Sequence, residues 1–333
     1  VKDPDKLAAF NRQWAEMCWD LLPPGGHLAC FAGTRHYHRQ VLAVEEAGFD
    51  LRDTILWLYG GGMPKSRNLR DGSQYDGYGT GLKPAFNLIA LFRKPPDRVI
   101  FANQHQYGTG MLNIDGGRVP TTDNLGGGNT SADRSPRLDH DSFKRPWMDD
   151  SEWRERHAIQ VRANVGKAEK LGRWPANVVL DDEAAYMLDA STGDLKAGGN
   201  LNGNEPSSPY KNVYGEMHQR GEWESYGDSG GASRFFYCAK AAPGERSAGL
   251  PDGLENKHPS CKPIALMRWL VRLLTSPGDR VLDPMAGSGS TLCACMLEGR
   301  DGVGVEERAD HALVAYHRFE HYKEEAMVEA AAA

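Results

Sequence analysis

Over the first hundred residues the apolar positions alternate between two patterns. In "KLAAFNRQWAEMCWDLL" they recur at helical spacing, and "PPGG" stops the run. "HLACFAG" is a short continuous apolar run of the kind a buried parallel strand carries. "TRHYHRQVLAVEEAGF" returns to helical spacing and ends near Gly48, and "LRDTILWLYG" and "AFNLIALFRKP" read as two further strands. Between those two lies the Gly-rich stretch "GGGMPKSRNLRDGSQYDGYGTGLK". The pattern is regular again from "HPSCKPIALMRWLVRLLTSPG", where Ile264, Leu266, Met267, Leu270, Val271 and Leu274 form a helical stripe. A strand "RVLDPMA", a glycine turn, a helix "STLCACMLEGR", a strand "DGVGVEE" and a helix "ADHALVAYHRFEHYKEEAM" follow. This β-α-β-α order predicts parallel strands joined by right-handed crossovers.

From about Val99 to Pro251 the composition changes. Gly, Asn, Asp and Ser dominate, and "NLGGGNTSADRSPRLDHDS" and "STGDLKAGGNLNGNEPSSPY" read as long loops. Short islands, "RWPANVVLDD" and "SRFFYCAKA", interrupt them. Loops this long within a compact domain imply a function. The expected division is therefore a core half over 1–98, an inserted loop-rich region over 99–251 and a second core half over 252–333. Trp153, Trp174, Phe235, Phe236 and Tyr237 are expected to pack the insert.

The net charge of −6 argues against a chain that is basic throughout, but the charge is uneven. Residues 60–98 carry seven Lys/Arg against three Asp, and residues 305–333 carry three basic against seven acidic groups. A basic face with an acidic rear suits a DNA contact on one side. The six cysteines form no CxxC pair and no Cys/His metal spacing, so free thiols in a reducing compartment and no structural metal are expected. No apolar run reaches membrane-spanning length.

The stretch "VLDPMAGSGST", Val281–Thr291, carries the most chemistry. A glycine turn between strand and helix lets a ligand approach the backbone at the C-terminal edge of a sheet. A nucleoside triphosphate would need a Lys after the last glycine, where Ser290 stands. A dinucleotide would need a third glycine where Leu292 stands, and Asp283 would repel its pyrophosphate. S-adenosylmethionine has no phosphate, and its amino end suits an acid at the strand tip. Glu306, 17 residues beyond Gly289, ends the next strand and can accept both ribose hydroxyls. The spacing favours this third ligand over the other two.

"DPMAGSGST" resembles the cofactor loop of the amino-group DNA methyltransferases, and "HPSCKP" with the helix after it resembles the segment preceding that loop. The order of parts, with a catalytic half, an insert, the HPxxKP helix and then the cofactor loop, is similar to the permuted β-type group. "PPGGHLACFAGTRHYHR", "GFDLRDTILWLYGGGMPKS", "GLKPAFNLIALFRKP", "GRWPANVVLDD" and "SRFFYCAKA" resemble a phage and prophage subgroup, over about Phe10 to Tyr322. The resemblance implies an α/β, Rossmann-like S-adenosylmethionine-dependent methyltransferase sheet with a long inserted, loop-rich target-recognition region. It implies methyl transfer to adenine N6 or cytosine N4 of a flipped base in double-stranded DNA, as in restriction-modification. It places S-adenosyl-L-methionine against Asp283, Pro284, Ala286, Gly287, Ser288, Gly289, Ser290 and Glu306, flanked by His258 and Lys262. The expected setting is the cytoplasm of a bacterial or phage-infected cell. Whether the chain acts as monomer or homodimer stays open.

The family carries its chemistry on an Asp/Asn/Ser-Pro-Pro-aromatic tetrapeptide, which this sequence lacks. "DPDK" lacks the second Pro and the aromatic, and "LLPPGG" has no aromatic after its prolines. An N-terminally truncated chain is the preferred explanation, since the sequence opens at Val1, and a decayed homologue is the other. Without the strand that bears the tetrapeptide, the sheet is expected to have a gap or to close up. An inactive binding homologue and an enzyme acting on RNA or protein stay as alternatives. Lys65, Arg67 and Lys83, in Gly-rich loops near strand ends, are candidate DNA-phosphate contacts. Arg35, His36 and His38, after the strand "HLACFAG", are candidates to line the cleft.

Overall fold

The computed structural model describes residues 3–64, 66–123, 125, 150–196, 201–202, 222–223, 227–242 and 244–332. Its helices are α1 (Pro4–Leu21), α2 (Tyr37–Glu46), α3 (Ile100–Tyr107), α4 (Ile114–Gly117), α5 (Ser151–Leu171), α6 (Asp182–Thr192), α7 (Ile264–Leu274), α8 (Ser290–Leu297) and α9 (Ala309–Ala332). Its strands are β1 (His27–Ala32), β2 (Asp50–Leu58), β3 (Phe86–Arg93), β4 (Val178–Leu180), β5 (Leu195–Lys196), β6 (Leu201–Asn202), β7 (Glu222–Trp223), β8 (Ser229–Gly230), β9 (Tyr237–Cys238), β10 (Arg280–Asp283) and β11 (Asp301–Gly304). The loop expected over "NLGGGNTSADRSPRLDHDS" and most of that over "STGDLKAGGNLNGNEPSSPY" lie outside the described residues.

The chain forms two compact units. The first comprises residues 1–117, 175–187 and 236–333. Its larger sheet has the order β1-β3-β2-β4-β9. β3 returns antiparallel from β2 and inserts beside β1, so β1, expected as a parallel strand, has an antiparallel ladder. β1 and β2 nevertheless run the same way, because both oppose β3. The islands "RWPANVVLDD" and "SRFFYCAKA" supply β4 and β9, which extend this sheet by parallel pairing.

β10 and β11 pair in parallel as a separate two-stranded sheet, connected through α8 as the β-α-β pattern predicts. Among the described residues no ladder joins them to the larger sheet.

A shared core spans both sheets. α7 buries Leu266, Trp269, Leu270 and Leu273 against Ile55, Ile89 and Val179 of the larger sheet, with Val281 of β10 and Ala294 and Cys295 of α8 in the same cluster. Seven of its eleven residues are buried, more than the six-residue stripe, because α7 is covered on two sides. Trp269 stacks on Tyr237 of β9, and its Nε1–H donates to the Gly117 carbonyl at 2.9 Å. A second cluster, Ala15, Cys18, Val41, Val44, Phe49, Ala90 and Phe92, fastens α1 and α2 to the sheet. α1 starts where Asp3 accepts from the N–H of Asp5 at 3.0 Å and Pro4 opens the first turn.

The second unit comprises residues 118–174 and 188–235. It holds α5, a 21-residue helix that the sequence reading did not anticipate, and the short pairs β5–β8 and β6–β7. An ionic cluster organises it. Asp123 accepts from Arg173 and from Arg234 Nε at 3.1 Å, and Asp228 lies 3.5 Å from Arg234. Both guanidiniums lie over the Phe235 ring, at 4.6 and 4.4 Å.

Candidate cofactor site at the glycine turn

The turn after β10 is built by the residues that flank it. Asp283 at the strand tip accepts from the Met285 N–H at 3.1 Å and from the Thr291 hydroxyl at the start of α8. Gly287 and Gly289 have φ of +54° and +77°, a left-handed backbone that disfavours side chains. Contact also demands glycine. A Cβ on Gly287 would lie 2.7 Å from His258 Nε2, and one on Gly289 would lie 3.0 Å from the Ala315 Cα.

Glu306 closes the turn from the end of β11. Its Oε2 accepts the Gly287 N–H at 2.8 Å, and its Oε1 accepts the Arg308 N–H at 3.1 Å and lies 3.5 Å from His311 Nδ1. Burial opposes charge on Glu306, but these N–H groups and His311 outweigh it and hold its carboxyl below the ordinary range. His258 packs its ring against His311, centroids 4.7 Å apart. Burial first, then the neighbouring His311, lowers the pKa of His258. Its Nδ1 accepts the Ser260 N–H at 3.3 Å, which assigns the proton of the neutral ring to Nε2, facing Gly287.

The HPxxKP segment is fastened to the same turn. The Ser290 hydroxyl donates to the Lys262 carbonyl at 2.8 Å, while the Lys262 ammonium donates to the Ser260 carbonyl and lies 4.8 Å from the Phe31 ring centre. Burial lowers the pKa of Lys262. Beneath the turn, Arg318 of α9 is fully buried, and its Nη1 donates to the Ser288 carbonyl at 2.6 Å and to the hydroxyls of Ser288 and Ser290.

Asp283, Pro284, Ala286, Gly287, Ser288, Gly289, Ser290, Glu306, His258 and Lys262 are thus gathered at one turn. The candidate DNA-phosphate residues are not. Lys65 lies outside the described residues, Arg67 is exposed on the loop between β2 and β3, and Lys83 donates its ammonium to the Gly60 carbonyl at 2.5 Å. Arg35, His36 and His38 are exposed after β1. His311, Thr291 and Arg318 were missed. Arg318 left a signal, for it shares the helical face of Val314, Ala315 and Tyr322, all buried. All six cysteines are free thiols.

The donor set fits a cofactor without phosphate. Two carboxylates face the turn, Lys262 is drawn onto Phe31 and Ser260, and the guanidinium of Arg318 is buried below the backbone. A pyrophosphate here would meet the negative charge of Asp283 and Glu306.

The sequence matches the model of the N6/N4 methyltransferases, a DNA methylase family, over residues 1–316, and the chain belongs to that family. It is 37% identical over 79 residues to the DNA adenine methyltransferase YhdJ of Escherichia coli (strain K12), a match covering 23% of this chain and 26% of that one. It is 32% identical over 65 residues to the type II methyltransferase M2.MboI of Moraxella bovis, covering 20% and 24%. These matches span about a quarter of the relatives' length. Among solved structures, the cytosine-N4-specific PvuII DNA methyltransferase aligns over 98% of this chain and 76% of that one, at 13% identity and a TM-score of 0.45.

Proposed function

We propose that the chain binds S-adenosyl-L-methionine at the glycine turn and serves methyl transfer to an exocyclic amine of DNA, adenine N6 or cytosine N4. The carrying observation is the pair of carboxylates, Asp283 and Glu306, set around Gly287 and Gly289, in a member of a DNA methylase family. Asp283 would hold the amino end. Glu306, already fixed by two backbone N–H groups, would use its remaining lone pairs on the ribose hydroxyls. Pro284, Ala286, Ser288 and Ser290 shape the turn, and His258 and Lys262 border it.

The bound cofactor supplies an electrophilic methyl on a sulfonium. That methyl would pass to an amine nitrogen of the base, with Asp283 and Glu306 holding the cofactor's amino end and ribose. A base inside a duplex must leave the stack to be reached, at a cost of about a few kcal/mol. Double-stranded DNA is the proposed partner, in a reducing cytoplasm that suits six free thiols.

Titration calorimetry with S-adenosylmethionine tests the reading. Wild type should release heat, and the double variant D283A/E306A should not. Equal binding by both would remove the basis for the assignment. Methyl-labelled cofactor and duplex DNA then separate catalysis from binding, since heat without label transfer assigns a cofactor-binding role alone.

A further inference from the structure

The loop between β2 and β3 carries chemistry that the cofactor turn does not use. Residues 60–84 hold Lys65, Arg67, Arg70 and Lys83 against Asp71 and Asp76. Both acids have structural work, Asp71 accepting from the Ser73 N–H and Asp76 from the Gly72 N–H, each at 3.0 Å. Among the described residues Arg67 and Arg70 have no ion pair, and both are exposed. Two tyrosines stand in the same loop, Tyr75 and Tyr78, 51% and 66% exposed and packed edge to face at 5.5 Å. Exposed aromatic faces beside unpaired arginines suit a partner that offers both flat rings and anionic groups.

The loop is organised without that partner. Its root is fixed where Lys83 donates to the Gly60 carbonyl and Asp181 accepts the Gly60 N–H at 3.2 Å. Asn68 bridges to Gly79, Leu69 N–H donates to the Tyr78 carbonyl at 2.8 Å, and Arg67 N–H donates to the Thr80 hydroxyl at 3.0 Å. A shallow cleft of about 530 Å³ opens beside Ser66, Asn68, Thr80 and Leu82.

Topology puts the root of this loop on the cofactor side. β1 and β2 run in the same direction, so the loop leaves the edge at which β1 ends. Phe31, one residue from that end, lies under the Lys262 ammonium, and the Lys262 carbonyl is bonded to Ser290 directly after the glycine turn.

We propose that residues 66–82 form a DNA-contacting platform, in which Arg67 and Arg70 neutralise backbone phosphates and Tyr75 and Tyr78 stack on an unpaired base. This rests on the DNA reading above, and it names the surface that receives a strand whose pairing has been opened. Every base has a π-face, so such stacking tolerates any sequence.

The test uses fluorescence anisotropy of this chain with a mixed-sequence labelled single strand and with its duplex, beside calorimetry with S-adenosylmethionine. Y75A/Y78A should weaken single-strand binding by about tenfold or more, and Y75F/Y78F should retain it. R67A/R70A should reduce the slope of log affinity against log salt on duplex by about two. Cofactor affinity should not move in any variant. Unchanged single-strand affinity in Y75A/Y78A, an unchanged salt slope in R67A/R70A, or loss of cofactor binding together with DNA binding would each overturn the platform. A wild type that binds cofactor but no DNA would instead sink the DNA reading, and this inference with it.

Discussion

Gly289 and Glu306 show how far single residues could be read. The glycine follows from the strand–turn–helix pattern, and the structure adds the reason it cannot be replaced, the backbone of Ala315 at 3.0 Å from a built Cβ. The acid follows from its place at the end of the next strand, but its partners, Gly287, Arg308 and His311, come from packing. His27 at the head of β1 gives a pH-dependent outcome that no motif signals. Burial, then the charges of Arg93 and Arg52, push its pKa down to about 4. The folded chain keeps His27 neutral where the unfolded chain binds a proton, so stability present above about pH 6.5 is lost as the pH falls toward 4. Urea midpoints should record a loss on the order of 2 kcal/mol across that window, and H27Q should flatten it.

At the scale of elements, α7 was legible as a helix but not as the bridge of the core. Periodicity gives one apolar face, while Trp269 and Leu273 lie off that stripe and are buried because sheet and helix cover α7 on two sides. Its link to α8 was invisible in sequence. Glu298 of the segment after α8, with a side chain 9% exposed, accepts from Arg268 at 2.5 Å and Arg272 at 2.7 Å. The arginines remain 31% and 28% exposed, so water offsets part of the loss when the acid is removed. Glu298→Ala should cost about 2 kcal/mol, below the roughly 3–5 kcal/mol of a fully buried pair. The urea midpoint should fall with the slope unchanged. α5 escaped for the opposite reason, since none of its described residues is buried and its stripe of Trp153, Ala158, Val161, Val165 and Ala168 consists mostly of small residues.

For the molecule as a whole, the two units have separate means of support, an apolar core in the first and an ionic cluster in the second. Among the described residues Asp123→Ala would leave Arg173 and Arg234 sharing Asp228, at 3.9 and 3.5 Å. Amide exchange should accelerate around residues 118–123, 172–174 and 228–235, by the equivalent of about 2 kcal/mol. Exchange in the buried part of α7 should stay as in wild type. A uniform rise across both units would show that they open together.

The sequence by itself determined the element types on either side of the insert, the parallel β10–α8–β11 unit and the glycine turn flanked by two acids. Each of these depends on contacts between near neighbours in the chain: i, i+4 on a helix, i, i+2 on a strand, and the φ freedom of glycine. Only the tertiary structure decided that β3 separates β1 from β2, that among the described residues no ladder joins β10–β11 to the larger sheet, and that Arg318 is buried under Ser288 and Ser290. Those outcomes depend on segments tens of residues apart, such as Ser288 and Arg318 or β1 and β3. Their energies come from burial and hydrogen bonds that exist only once the remote partner has packed, and local pattern does not record them.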